Sequence, residues 1–329
     1  MIFDGYLSTQ MDNDVMFKQL FLRLVVIVLI LFLISALSAC SMTVQNLNNV
    51  AASYCKAGRY DKAIEEYTKV IQKDPENYEA YNNRGLAYDH VGDIDLALAD
   101  ETNAIAINPN QFNAFNSRGS IYLEKKEFES AFNDFSAAIA LEPQNASLYY
   151  NRGSAYYLDG IFGSAILDFS EAIELDTKLT SAYYNRGKSY EKASRYDLAL
   201  ADYNKVIGLD SSATDALNSR ANLYDTAGQY DLAILDLSKI IQLYPNNPNA
   251  YYGRGLTYSD NEQFDLAIAD FNKALSINDK YTYAYYYRAD VYQKTGQISL
   301  TIADLNKVIE LGDNTDLSQK AIDILKTIR

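Results

Sequence analysis

The chain has 329 residues, and a hydrophobic content of 48% is ample for a core and too high for disorder. A formal charge of −14 argues against nucleic acid as a partner, because phosphate binding rests on clustered Lys and Arg. Two cysteines, Cys40 and Cys55, imply no disulfide framework; no phosphate loop, HExxH or metal-spaced Cys/His set occurs, so no cofactor is implied.

The first segment that stands apart is LFLRLVVIVLILFLISALSAC, Leu20 to Cys40. Lys18 and Arg23 give a positive flank, Leu24 to Leu37 an almost unbroken apolar core, and Ser38 and Ala39 small residues before Cys40. This is the layout of a secretory signal peptide over residues 1–39, with 40–43 as a short linker. Leu37-Ser38-Ala39-Cys40 also resembles the lipobox of bacterial lipoproteins. That resemblance implies cleavage before Cys40, lipidation of Cys40 and a membrane-anchored, extracytoplasmic chain. With Ser41 next, it implies an outer membrane facing the periplasm if the cell is Gram-negative. An uncleaved signal anchor is the alternative, with a core somewhat short of the roughly 20 apolar residues that span a bilayer. Asp4, Asp12 and Asp14 fit an n-region poorly and Met16 makes a more ordinary start, so residues 1–15 read as an upstream-start artefact.

From Val44 onward the chain repeats with a period of 34. Eight units start at Val44, Tyr78, Phe112, Ala146, Thr180, Thr214, Pro248 and Thr282 without insertion, spanning 44–315. Each reads as two helices. In the fifth, Tyr183, Arg186, Gly187 and Tyr190 share one helical face, Ser194–Asp197 breaks the pattern with Asp197 as N-cap, and Leu198, Ala199, Tyr203, Val206 and Ile207 mark the second helix. Gly58, Gly92, Gly160, Gly228 and Gly296 sit in the corresponding breaks. Residues 316–329 read as a capping helix, with Ala321, Ile322, Leu325 and Ile328 at helical spacing.

The pattern resembles the tetratricopeptide repeat. The third unit carries its signature as Phe115, Gly119, Tyr122, Ala131, Phe135, Ala138 and Pro143, at unit positions 4, 8, 11, 20, 24, 27 and 32. The resemblance implies an all-α, right-handed superhelical solenoid that binds a protein or peptide partner rather than catalysing a reaction. Two departures stand out. Glu101 replaces the aromatic residue usual at position 24 and is expected to weaken packing or point outward, and Thr301 replaces the Ala of position 20.

Position 7, usually Leu in this family, is Arg84, Arg118, Arg152, Arg186, Arg220, Arg254 and Arg288. Position 23 is Asp100, Asp134, Asp168, Asp202, Asp236, Asp270 and Asp304, with Glu66 in the first unit. The two sets read as a structural ladder of ion pairs, or as arginines lining a groove for an acidic ligand; the core-side phase of position 7 favours the ladder. The first unit has Val50 in place of Arg, so Glu66 lacks a partner if pairing lies within repeats.

In the resembled family the first helices line a concave surface. Carried over by position, the partner-binding candidates are Asn82, Asn83, Asn116, Tyr150, Asn151, Tyr184, Asn185, Lys188, Asn218, Tyr252 and Tyr286. Asn offers donor and acceptor to a peptide backbone, and Tyr offers apolar area with a polar tip. Glu79, Asp89, Asp215, Asp225 and Asp260 among the groove residues disfavour acidic ligands, with Lys188, Lys192 and Lys294 as the main exceptions. An assembly factor for an envelope complex such as a pilus or outer-membrane machinery is the second reading, and a host-directed or eukaryotic adaptor a third. An enzyme would need the Cys55/His90 pair as a thiolate–imidazole dyad, which requires a lowered thiol pKa.

Overall fold

The computed structural model describes residues 43–312 and 314–328; the signal-like segment, Cys40 and its lipidation lie outside the described residues. Among the described residues there are seventeen α-helices and no strand, as the repeat pattern predicts. In chain order they are α1 (Val44–Lys56), α2 (Tyr60–Lys73), α3 (Tyr78–Val91), α4 (Ile94–Ile107), α5 (Phe112–Glu124), α6 (Phe128–Leu141), α7 (Ala146–Leu158), α8 (Phe162–Leu175), α9 (Thr180–Lys192), α10 (Tyr196–Leu209), α11 (Thr214–Thr226), α12 (Tyr230–Leu243), α13 (Pro248–Asp260), α14 (Phe264–Ile277), α15 (Thr282–Lys294), α16 (Ile298–Leu311) and α17 (Thr315–Ile328). Every odd-numbered helix through α15 begins on the first residue of a 34-residue unit. Two compact units divide at Lys125 and Lys126. The first holds α1 to α5 and the second α6 to α17. No described helix is long and apolar enough to cross a membrane.

The turn inside each pair needs a left-handed residue. Gly58, Gly92, Gly160, Gly228 and Gly296 supply it with φ between 68° and 87°. Lys126, Ser194 and Glu262 take the same place with φ of 59°, 59° and 58°, at the steric cost that L-residues bear there. In the fifth repeat the boundary differs from the expected one. Arg195, not Asp197, is the N-cap of α10, without a side-chain bond. Asp197 sits in the first helical turn, where its charge still complements the helix dipole.

Close approach of the two helices is built from small residues. Ala63, Ala97, Ala131, Ala165, Ala199, Ala233 and Ala267, all at position 20, are fully buried. Thr301 is buried there too and back-bonds to the Gln297 carbonyl at 3.2 Å. In the fourth, fifth and seventh repeats the glycine of position 8 lies under the ring of position 24. A Cβ on Gly187 would meet the Tyr203 ring at 2.8 Å, and one on Gly255 the Phe271 ring at 2.8 Å. Gly163, inside α8, faces nothing within 4 Å. Gly187→Ala should therefore destabilise by about 1–3 kcal/mol through overpacking, while Gly163→Ala should stabilise by roughly 0.5 kcal/mol. Opposite changes in hydrogen-exchange protection, faster in the fifth repeat for the first variant and slower in the fourth for the second, check the pair. At the C-terminal end, Leu317, Ala321 and Leu325 of α17 pack on Leu305, Val308 and Ala289, so the tail does cap the last repeat.

Glu101 does not weaken packing by turning outward; it points inward and is fully buried. Its Oε2 accepts a 2.7 Å bond from Asn82 Nδ2, and its Oε1 has no hydrogen-bond partner. Gly85 makes the room: a Cβ there would meet Oε1 at 2.8 Å. Burial, the largest influence, pushes the carboxyl pKa up to about 9, so it is held as the neutral acid at pH 7.

Candidate functional site

The arginines of position 7 belong to the frame. In the fifth repeat, Arg186 Nε donates to Asp202 Oδ2 at 2.8 Å and Nη2 donates to Oδ1 at 2.7 Å. The same two-pronged pairing joins Arg84 to Asp100, Arg152 to Asp168, Arg220 to Asp236, Arg254 to Asp270 and Arg288 to Asp304. Each of these pairs lies within one repeat, which decides the question the sequence left open. The aspartates are nearly inaccessible, between 3% and 6% exposed. Asp202, through its hydrogen bonds, raises the Arg186 pKa further above its ordinary value.

Each guanidinium has a third donor, and it reaches backwards. Arg186 Nη1 donates to Ser170 of the preceding repeat at 3.0 Å. Arg84, Arg118, Arg152 and Arg254 do the same to Thr68, Thr102, Ser136 and Ser238, and Arg220 and Arg288 to the amide oxygens of Asn204 and Asn272. Rings at positions 4 and 11 complete the seat: Tyr183 and Tyr190 have their centroids 5.6 and 5.8 Å from the Arg186 guanidinium carbon. One arginine thus ties two helices of its own repeat to the repeat before. Sequence reasoning missed this tie, although position 25 is Thr, Ser or Asn in every unit. In the first repeat Glu66 pairs with Lys69 at 2.6 Å, and its Oε2 is buried without a hydrogen bond.

The face made by the first helices carries the remaining candidates. Asn82 is not among its available residues. It is buried and committed to Glu101, because an inward carboxyl needs a donor beside it. Asn83, Asn116 and Asn151 are half-buried. Elsewhere on this face, position 5 of one repeat meets position 6 of the next. Tyr150 Oη accepts from Asn185 Nδ2 at 3.0 Å, and the Tyr184 hydroxyl lies 3.4 Å from that of Ser219. Tyr150 and Tyr184 also lean on the position-24 rings of Phe169 and Tyr203 at 5.7 and 5.8 Å. Lys188 sets its ammonium over Tyr157 and Tyr184 at 5.2 and 5.7 Å from the centroids. Asn218 is exposed. Tyr252 heads an aromatic cluster with Tyr281, Tyr283 and Tyr287, and Tyr286 joins Tyr287 edge-on at 5.4 Å. Burial first, then Asp225, raises the Asp260 pKa, with Asp290 adding and Lys294 opposing.

Cys55 and His90 show no dyad chemistry. Burial raises the thiol pKa, the opposite of what a nucleophile needs, and the Tyr67 hydroxyl is its hydrogen-bond partner. The His90 ring stacks on Tyr60 at 4.3 Å. On the opposite helices, Leu96, Leu198, Leu232, Leu266 and Leu300, all at position 19, are exposed.

Family models described as TPR repeat or tetratricopeptide repeat match residues 52–90 with 119–160, 78–111, 184–248 and 248–281. The chain carries tetratricopeptide repeats. Comparison with curated proteins finds no match. Among solved structures it is similar to a tetratricopeptide repeat protein from Parabacteroides merdae, 23% identical over 79% of this chain and 98% of that one, with a TM-score of 0.55. It is similar to pilF of Pseudomonas aeruginosa, 18% identical over 65% of this chain and 97% of that one, TM-score 0.54. Yeast Tom70 is 19% identical over 84% of this chain and 60% of that one, TM-score 0.50. These likenesses bear on the fold.

Proposed function

We propose that this chain, built of tetratricopeptide repeats, is a non-enzymatic scaffold that binds an extended protein or peptide segment along the face of its first helices. One observation carries the reading. The arginines are consumed by the frame, as their core-side phase predicts, while Asn218 stays exposed and Tyr184, Lys188 and Tyr286 stay half-exposed on the first-helix face. A preformed aromatic and amide surface limits the entropy lost on binding. We further propose that Cys40 is lipidated and holds the scaffold at a membrane on the extracytoplasmic side, on the strength of the Leu37–Cys40 motif.

Site-specific photocrosslinking in cells tests the binding face. A benzophenone side chain at Lys188 or Asn218 should give discrete partner adducts, and one at Leu198 or Leu232 of the second helices should not. Adducts confined to the leucine positions would transfer the function to the other face. Radiolabelled palmitate incorporated by the parent chain and lost in Cys40→Ser checks the anchor; retention of label in that variant refutes it.

A further inference from the structure

The fourth repeat departs from the others on its outer surface. Position 13 is polar in every other repeat and is Leu158 here; position 16 is charged or Gln elsewhere and is Ile161 here. Position 18 is an acid in all other repeats apart from Ser299, and is Gly163 here. Position 26 is Lys in the first repeat and in the last four, and is Glu171 here. Position 22 adds Leu167, which is 71% exposed, beside Leu158 at 62% and Ile161 at 41%. Exposed leucines scattered singly are ordinary, but these gather in one turn and the helix that follows it.

Folding requires none of these changes. Gly163 lies inside α8 without a positive φ, and a Cβ there would meet nothing within 4 Å. The glycine therefore weakens its helix and relieves no clash. Gly163, Leu167 and Glu171 follow one another at every fourth residue, which makes one stripe along α8. The stripe begins on bare backbone two residues after Ile161, continues on Leu167 and ends at the exposed acids Glu171 and Glu174. α8 has no Lys or Arg, and Arg152 earlier in the repeat is committed to Asp168.

Shape and charge together specify what covers this stripe. Without a side chain at Gly163, a second helix can cross α8 at the short end of the roughly 8–10 Å range of helix packing. The buried alanines of position 20 permit the same close approach inside the molecule. Leu158, Ile161 and Leu167 then bury apolar side chains of the crossing helix, and Glu171 and Glu174 meet a Lys or Arg at its end. A second copy of the chain does not fit. Exposed Asp159 at one end of the patch and the two glutamates at the other would set acid against acid in a two-fold contact. Anionic headgroups are disfavoured by the same charges.

We propose that the outer face of the fourth repeat is a second docking surface, for a partner protein's amphipathic helix whose apolar face ends in a basic residue. It is separate from the first-helix face and does not depend on it. The test uses the full chain in phosphatidylcholine nanodiscs and a phage-displayed helical peptide randomised on one face. The library is depleted on Leu158→Ser/Leu167→Ser and then selected on the parent chain. Enriched peptides should carry aliphatic residues at helical spacing with Lys or Arg above library frequency. Their affinity, measured by fluorescence anisotropy, should fall about tenfold in Gly163→Glu and in Glu171→Lys/Glu174→Lys, and stay unchanged in Lys188→Ala. All the altered outer residues are exposed, so the helical circular dichroism of the variants should match the parent. No enrichment after depletion, no basic preference, or unchanged affinity in the two outer-face variants overturns the proposal. A benzophenone side chain at Leu167 should label the enriched peptide; in phosphatidylcholine liposomes without peptide, adducts with lipid or with a second copy would assign the patch to those occupants and overturn it.

Discussion

Arg186→Leu should cost about 3–5 kcal/mol, and adding Asp202→Leu should restore most of it. The single change strands a carboxylate that is only 5% exposed, with both of its guanidinium bonds gone. An uncompensated buried charge costs more than the ion pair contributes, so removing the second partner relieves the penalty. In the double variant leucine also packs between the rings of Tyr183 and Tyr190 that flank the guanidinium. Ser170 loses its bond to Nη1 but keeps its 2.7 Å bond to the Ile166 carbonyl, so the preceding repeat is not left with an orphan donor. Repeat arrays depart from two-state unfolding, so the loss belongs in hydrogen exchange of the fifth-repeat amides rather than in one global melt. Equal destabilisation of the single and double variants would mean that the pair itself, not relief of a buried charge, sets the energy.

The period, the starts of the first helices and the six Arg–Asp pairs described above were legible in the sequence, because each depends on spacing that repeats. Glu66 opposite Val50 even indicated that pairing lies within repeats. What could not be read depends on which positions touch across a boundary. The backward bond from Arg186 to Ser170 links residues sixteen apart in neighbouring units, and nothing in a single helical face suggests it. Asn82 was misassigned for a different reason: its position places it on the face of the first helices, yet a departure within its own repeat, the carboxyl of Glu101, draws it into the interior. A departure from the repeat therefore has to be read together with the residues it faces, as Glu101 is with Asn82 and Gly85.

Glu101 gives the other large effect, and its sign is opposite to that of an ordinary paired carboxylate. Its folded pKa of about 9 stands above the ordinary 4.5, so the native chain keeps a proton that the unfolded chain has released. The contribution is whole below about pH 4.5 and is lost as pH rises towards 9, with a limiting slope of about 1.4 kcal/mol per pH unit. The neighbours act on it unequally: the Asn82 bond and Arg118 pull the pKa down, while Asp100 and Asp89 add to the rise that burial causes. Between pH 5 and 8 the parent chain should lose about 4 kcal/mol relative to Glu101→Gln, which has the same shape and no proton to release. Hydrogen exchange of α3 and α4 at several pH values, compared between the two chains, measures it. Parallel pH profiles would show that Glu101 is ionised in the fold and that its unpartnered Oε1 is a charge, not the site of the retained proton.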